Sequence, residues 1–439
     1  MKILLLILPT VSLGFSTLSH SITPSIEGLS DAFGAEPSGL LSLRRNDGVR
    51  GVYLNRNVLK DEIVLKLPLA SCLRDDEPPQ WYQTRCTGDD ENQHYNPSKW
   101  ATRLAAVLID VQMNTESKTQ YEHAIQEWIS MMPDKEVLRS SLPIHWSEEE
   151  VESTKCSSLE LAVDTAYFAR ADAVEKLVSC LEGFQIENLP QICNDALDLI
   201  QTRSCRVERI DGVQLCPPLR VLAPIFDFIN HGSSKHSDEG SSNAYFGLEG
   251  DDEGSVQASL VVRARRDIEK GDEVLIDYGD SARPAWKCLH SYGFVPMCTR
   301  EREGKNTVQL ENEEVAEFFM HGSRYEVTED VVPTSLVEAA YVSYIEEKEG
   351  ARAFQHDAEM IDNDKFRDDD IFIPQVALRI AKRASDAAYD LLIEPASNDD
   401  STSDSIARES SKRLRLIQHH VLLNFANGLR DYAERSASK

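Results

Sequence analysis

The sequence predicts an α+β protein in which short β-sheets are interrupted by a helical insert and followed by an all-α C-terminal lobe. Three observations predict it. Alternating apolar runs bounded by polar turns occur at about 36–73 and again at about 215–296. Between them, from about 98 to 205, apolar residues recur at helical spacing. Longer stripes with the same spacing fill the last third of the chain.

The first strand region holds Val49–Leu54 and Ile63–Leu67, joined through the polar Asn55-Arg56-Asn57, and is expected to form a hairpin or meander. Residues 74–97, with Pro78-Pro79 and an acidic patch, are expected to be a loop. Trp100, Leu104, Val107, Leu108 and Val111 then share one helix face. Leu159, Ala162, Ala166, Ala169, Val174, Leu177 and Leu181 share a second, and Ala196–Ile200 begins a third, shorter helix. Ser255–Arg263 and Glu273–Tyr278 are the clearest later strands, split by the turn-like Asp267–Asp272. Asp211-Gly212 marks a small hairpin. Val376, Ile380, Ala384, Ala387 and Leu391 form one C-terminal stripe, and Leu414, Ile417, Val421, Phe425, Leu429 and Tyr432 another. The acidic stretches 357–370 and 398–405 are expected to be linkers. No internal repeat is evident.

The 439 residues suffice for two or three domains. The 46 basic and 74 acidic side chains give a net charge of −28. That surface repels nucleic acid, because binding phosphates requires Lys and Arg to displace counterions. Nine scattered Cys contain no Cys-x-x-Cys pair, so neither a disulfide framework nor a metal site is expected.

The most informative motif is Pro224-Ile225-Phe226-Asp227-Phe228-Ile229-Asn230-His231. It is followed by Gly271-Asp272-Glu273-Val274-Leu275-Ile276, then Asp277-Tyr278-Gly279, then Tyr292-Gly293-Phe294. A lone Asn-His is usually a turn, and a lone Tyr-Gly usually ends a strand. The ordered set resembles the SET-domain methyltransferases, in particular the branch typified by the Rubisco large-subunit lysine methyltransferase. The resemblance covers the chain from about Leu43 onward. It is specific at 224–231 and 271–295 and architectural elsewhere. It implies a SET core whose chain threads a pseudoknot, bringing the Asn-His and Tyr-Gly segments together.

The resemblance also implies a reaction and a site. The reaction is methyl transfer from S-adenosyl-L-methionine to a protein lysine, with a non-histone protein as partner. Tyr278 is the implied catalytic phenol. Asn230, His231, Asp227 and Tyr278 are implied to hold the cofactor, with the backbone around Gly48, Arg50 and Gly51 lining it. Arg203 stands where the family pairs an Arg with the methionyl carboxylate, a match for a guanidinium fork. Phe226, Tyr245 and Tyr292 are implied to line the lysine channel. Such a channel has a physical task. A lysine of ordinary pKa costs about 4 kcal/mol to deprotonate near pH 7.5, and an apolar channel lowers that cost.

The sequence departs from the family in two places. The Ser-Asn pair that often follows the Tyr-Gly is replaced by Asp280-Ser281-Ala282-Arg283-Pro284-Ala285-Trp286, and the segment from Arg203 to Asp227 is longer than in the plant enzyme. A sub-branch that methylates histidine carries an Asn and a Trp where Cys205 and Phe226 stand here, which favours lysine as acceptor. Histidine methylation and a catalytically inactive binding module remain as alternatives.

The expected organisation is a targeting segment at 1–20, the SET core at 36–97 and 206–298, its helical insert at 98–205, and a substrate-binding lobe at 299–439. Lys2, the apolar Ile3–Leu8 and the small Ser12 and Gly14 before Phe15 have the form of a signal peptide. The Ser-rich, acid-poor stretch that follows resembles the bipartite plastid address of algae with secondary plastids. Plastid delivery is therefore expected, with the secretory pathway or cytoplasm as alternatives. No stable membrane insertion is expected, since no other segment approaches the roughly 20 apolar residues of a span. Oligomeric state is not legible.

Overall fold

The computed structural model describes residues 26–46, 49–86, 99–114, 119–184, 186–210, 213–232, 241–250, 258–278, 284–296, 298–302, 305–309, 314–349, 373–393 and 405–437. The targeting segment, Gly48, the Asp211-Gly212 turn, residues 280–283 of the departure at 280–286, and the acidic linkers 357–370 and 398–404 lie outside them. The chain divides into two compact units: residues 1–135 with 169–279, and residues 136–168 with 280–439.

The first unit opens with α1 (Ile26–Phe33), a helix with no counterpart in the sequence reading. Ile26, Leu29 and Phe33 recur on its buried face. β1 (Leu41–Asn46) and β2 (Val49–Leu54) form a hairpin, with register Leu41↔Leu54 to Asn46↔Val49. The expected pairing of Val49–Leu54 with Ile63–Leu67 is corrected, since Ile63–Pro68 pairs with Ala258–Ala264 instead. β3 (Ile63–Pro68), β4 (Leu73–Arg74), β5 (Cys205–Ile210), β6 (Val213–Leu222), β8 (Ala244–Gly250) and β9 (Ala258–Ala264) form one sheet in the order β3-β9-β8-β5-β6-β4. The pairing of β5 with β6, from Cys205↔Val221 to Ile210↔Val213, is the hairpin foreseen around Asp211-Gly212.

Two short strands build the crossing. β7 (Asn230–His231) lies parallel to β10 (Leu275–Ile276), and Ile276 also pairs with Ala244 of β8. Gly232 N–H donates to Ile276 O at 2.8 Å. A Cβ on Gly232 would lie 2.8 Å from both Leu275 Cβ and Ser242 N, so only glycine fits where the backbones meet.

The helical insert contributes α3 (Trp100–Met113), α4 (Gln120–Ser130) and α8 (Leu189–Arg203) to this unit. α2 (Gln80–Cys86) corrects the expectation of a loop at 74–97. Pro78-Pro79 does not break structure there; Pro79 O accepts from Tyr82 and Gln83 N–H, starting the helix. Thr119 and Glu122 form a capping box at the start of α4. Arg103 of α3 pairs with buried Asp75 at 2.9 Å, and Asp75 also accepts from Arg220 N–H, fastening the insert to the sheet. The scattered Cys predict no disulfide framework, and one disulfide is present among the described residues: Cys86 and Cys180 are bonded, with Cα atoms 5.6 Å apart. Helices brought these residues together, which spacing along the chain does not reveal.

The second unit contains α5 (Lys135–Ser141), α6 (Glu148–Glu152), α9 (Ala285–Tyr292), α10 (Thr334–Glu349), α11 (Pro374–Leu392) and α12 (Ile406–Ala437). α7 (Ser157–Leu181) is one helix, its residues up to Phe168 assigned to the second unit and the rest to the first. α9 corrects the strand expectation up to residue 296. Two hairpins, β11 (Cys298–Arg302) with β12 (Lys305–Gln309) and β13 (Ala316–Met320) with β14 (Ser323–Val327), precede the helices of a region read as wholly helical. Both C-terminal stripes are buried as expected. Val376, Ile380 and Ala384 of α11 meet Val421, Phe425 and Leu429 of α12, and Phe318 and Val327 join that core. Trp146, Leu159, Leu289, Leu414 and Ile417 form a second core cluster.

Candidate active site

The site is built where β7, β10 and the edge of β2 meet in the first unit. The approach is strained. Ile225, fully buried, has φ 68° and ψ −49°, and Phe226 N–H reaches back to Pro224 O at 2.7 Å, a γ-turn with positive central φ. A β-branched residue in that region costs about 1–3 kcal/mol, and such strain collects at functional sites. The turn feeds a single 3-10 turn, Phe226–Phe228, which buries Asp227.

Asp227 is the centre of a buried polar cluster. Its Oδ1 accepts from Trp128 Nε1 at 2.9 Å. Arg203 Nη1 donates to Asp227 O at 2.8 Å and to its Oδ2 at 3.2 Å. Burial pushes the Asp227 carboxyl above the ordinary range, against the pull of Arg203, Arg50 and the Trp128 indole. The Arg50 guanidinium lies over the Phe228 ring at 4.2 Å and donates to Met131 O. Burial lowers its pKa to about 10, the nearby Arg203 and Arg45 adding to the shift and Asp227 opposing it.

The neighbouring strand carries the motif itself. Asn230 Nδ2 donates to Arg50 O and Glu273 Oε1, both at 2.7 Å. His231 Nδ1 accepts from Tyr278 N–H at 3.3 Å, and the two rings are 5.3 Å apart. That bond makes Nδ1 the unprotonated nitrogen of a neutral imidazole, with the proton on Nε2. Burial lowers the His231 pKa, with Asp277 opposing, and so supports the neutral form. The Tyr278 hydroxyl donates to Ile229 O at 2.7 Å. With its proton committed there, the phenol oxygen acts as an acceptor toward any further group.

Several expected residues are thus brought together: Arg50, Gly51, Arg203, Asp227, Asn230, His231 and Tyr278. Gly51 has a more specific reason than lining a ligand. A Cβ there would overlap Glu273 Oε1 and lie 3.1 Å from Asn230 Nδ2. Phe226 is buried edge-on against Phe246, with centroids 4.9 Å apart. Tyr245 on β8 is 39% exposed, opposite Arg263 of β9. Tyr292 ends α9 in the second unit, its ring stacked near Phe294. Gly48 lies outside the described residues.

Four residues escaped the sequence reading. Trp128 sits in an ordinary helical pattern. Glu273 looks like the first residue of an ordinary strand. Gly232 looks like part of the loop after the motif. Asn243 acts as a substitute strand: Nδ2 donates to Glu273 O at 2.7 Å, and Oδ1 accepts from Leu275 N–H at 2.8 Å. Only the glycine had a usable signal, since a glycine directly after a motif implies close backbone approach.

The donor set fits a zwitterionic amino-acid tail. Arg203 Nε is buried with no hydrogen-bond partner among the described residues. Two guanidiniums, Arg50 and Arg203, face the single carboxylate of Asp227. A ligand carboxylate would satisfy the stranded N–H and balance the excess charge.

Comparison with known proteins gives this arrangement its class. The SET domain family model matches residues 49–279, and the chain belongs to the SET-domain methyltransferase family. The SET domain of LSMT bound to lysine and AdoHcy has a similar structure over 93% of this chain and 90% of that one, with a TM-score of 0.51 and 12% identity. Rubisco LSMT bound to sinefungin and monomethyllysine is similar over 93% and 90%, with a TM-score of 0.50 and 13% identity. At these identities the likeness is one of fold. No curated protein matches the chain.

Proposed function

We propose that the chain is a protein-lysine N-methyltransferase that uses S-adenosyl-L-methionine and acts on a non-histone protein. The observation that carries the reading is the Tyr278 hydroxyl bonded to Ile229 O beside the Asn230-His231 strand. S-adenosyl-L-methionine, when bound, supplies a methyl group on an electrophilic sulfonium. Arg203 and Arg50 would hold its carboxylate, and Asn230 and His231 would hold the rest of its tail and base. The Tyr278 oxygen accepts from the incoming amine and orients it for in-line attack, which is positioning rather than covalent catalysis. The half-buried phenol and the Phe226–Phe246 wall disfavour an ammonium and so favour the neutral amine that attack requires. Cys205 and Phe226 offer no amide or indole to an imidazole, which supports lysine over histidine. The helical second unit serves as the grip on the protein substrate. With a plastid address at 1–20, the Rubisco large subunit or another stromal protein is the natural target.

The test is incubation of residues 36–439 with radiolabelled S-adenosyl-L-methionine and an algal plastid extract. A labelled protein band whose digest yields methyl-lysine is expected. Label on histidine would overturn the acceptor assignment. Cofactor binding with no labelled protein in plastid or whole-cell extract would overturn the enzyme reading in favour of a binding module.

A further inference from the structure

The geometry points to Glu273 as the positioning residue that fixes the amide of Asn230 in one orientation, so that its oxygen receives the α-ammonium group of the cofactor. This rests on the cofactor reading above. An Asn side chain has two N–H donors on one end and a carbonyl acceptor on the other. Both donors are committed here, one to Arg50 O and one to Glu273 Oε1, each at 2.7 Å. Turned over, Asn230 Oδ1 would face those two acceptors at the same distances, an arrangement of unrelieved repulsion. The acceptor end is therefore the end presented to a ligand, and it suits a group that donates.

Glu273 is itself held for this task. Its segment runs along the edge of β2, with Leu54 N–H to Asp272 O at 3.0 Å and Val274 N–H to Val52 O at 2.8 Å. Tyr53 Oη donates to the second carboxylate oxygen at 3.4 Å. The space its carboxylate occupies is the space a side chain at Gly51 would need. Gly51, Glu273 and Asn230 are thus one device: a gap, an acceptor that fills it, and an amide oriented by that acceptor.

The experiment measures S-adenosylhomocysteine affinity by calorimetry for the full chain and its variants at Glu273 and Asn230, with melting curves to confirm folding. Glu273→Leu is expected to weaken binding about tenfold, the scale of one hydrogen bond to a charged group. Glu273→Gln, which keeps an oxygen acceptor, is expected to retain most of the affinity. Glu273→Leu added to Asn230→Ala is expected to cost nothing further, because the residue acts through Asn230. Additive losses in that double variant, or Glu273→Gln binding as weakly as Glu273→Leu, would overturn the inference and place the carboxylate in direct contact with the ligand. Should Glu273→Leu not fold, Asn230→Asp supplies the second route. It sets two carboxylates against each other, and Glu273→Gln in that background is expected to recover part of the lost binding; no recovery would also overturn the inference. Failure of the folded wild-type chain to bind at all would instead refute the cofactor reading on which it stands.

Discussion

Removing the Asp227 carboxylate is the perturbation whose cost the structure states most clearly. Its side chain has no solvent exposure, while that of Arg203 is 20% exposed. In Asp227→Ala, Trp128 Nε1 loses its acceptor, Arg203 Nη1 loses one of two, and Arg203 and Arg50 become neighbouring cations without an anion between them. Truncating one partner of a buried ion pair costs about 3–5 kcal/mol. The partial exposure of Arg203 places the expected loss near the lower end, about 3 kcal/mol. Trp128→Phe removes one neutral-to-charged hydrogen bond and is expected to cost about 1.5–3 kcal/mol. Because both changes break the same bond, the double variant should fall short of the sum. The assay is urea denaturation followed by Trp fluorescence and, for the first unit specifically, by loss of S-adenosylhomocysteine binding. A loss below about 1 kcal/mol in Asp227→Ala, or strict additivity with Trp128→Phe, would refute the view that this carboxylate organises the cluster.

Two further outcomes follow from the same site. Gly51→Ala must displace the Glu273 carboxylate, so S-adenosylhomocysteine affinity should fall about tenfold or more while the melting temperature changes little; unchanged affinity would show that the close approach is unimportant. The His231 pKa is depressed by burial, so the folded protein binds fewer protons than the unfolded chain just below the ordinary histidine range. Its contribution to stability is therefore complete above about pH 6.5 and is lost as pH falls toward the folded pKa. Melting temperature against pH should show that slope, and His231→Asn should lessen it.

The legible parts of the fold were those whose physics is local. The stripes Val376–Leu391 and Leu414–Tyr432 bury one face each, and their period survives in the sequence. The pairing of β7 with β10 was legible only through the resemblance carried by Asn230-His231 and Tyr278, since no local pattern joins residues so far apart. The hairpins at 298–309 and 316–327 were missed because their strands are short and rich in charge, as in Thr299–Arg302 and Ser323–Glu326. α2 was hidden by Pro78-Pro79, which start a helix as readily as they end one. Within the site, Asn230, His231 and Tyr278 were legible as a motif, and the residues that hold them in place were not. Glu273, Asn243 and Trp128 act through single hydrogen bonds to partners distant in the chain, and such bonds leave no periodic trace.

The central claim is that Tyr278 orients a lysine amine for methyl transfer, and single-turnover transfer by Tyr278→Phe tests it most directly. The variant keeps the ring and loses the hydroxyl that bonds Ile229 O. The account predicts S-adenosylhomocysteine affinity within about threefold of wild type and a transfer rate lower by about 10²–10³, the effect of removing one preorganised polar group. Transfer at the wild-type rate with the hydroxyl gone would contradict it.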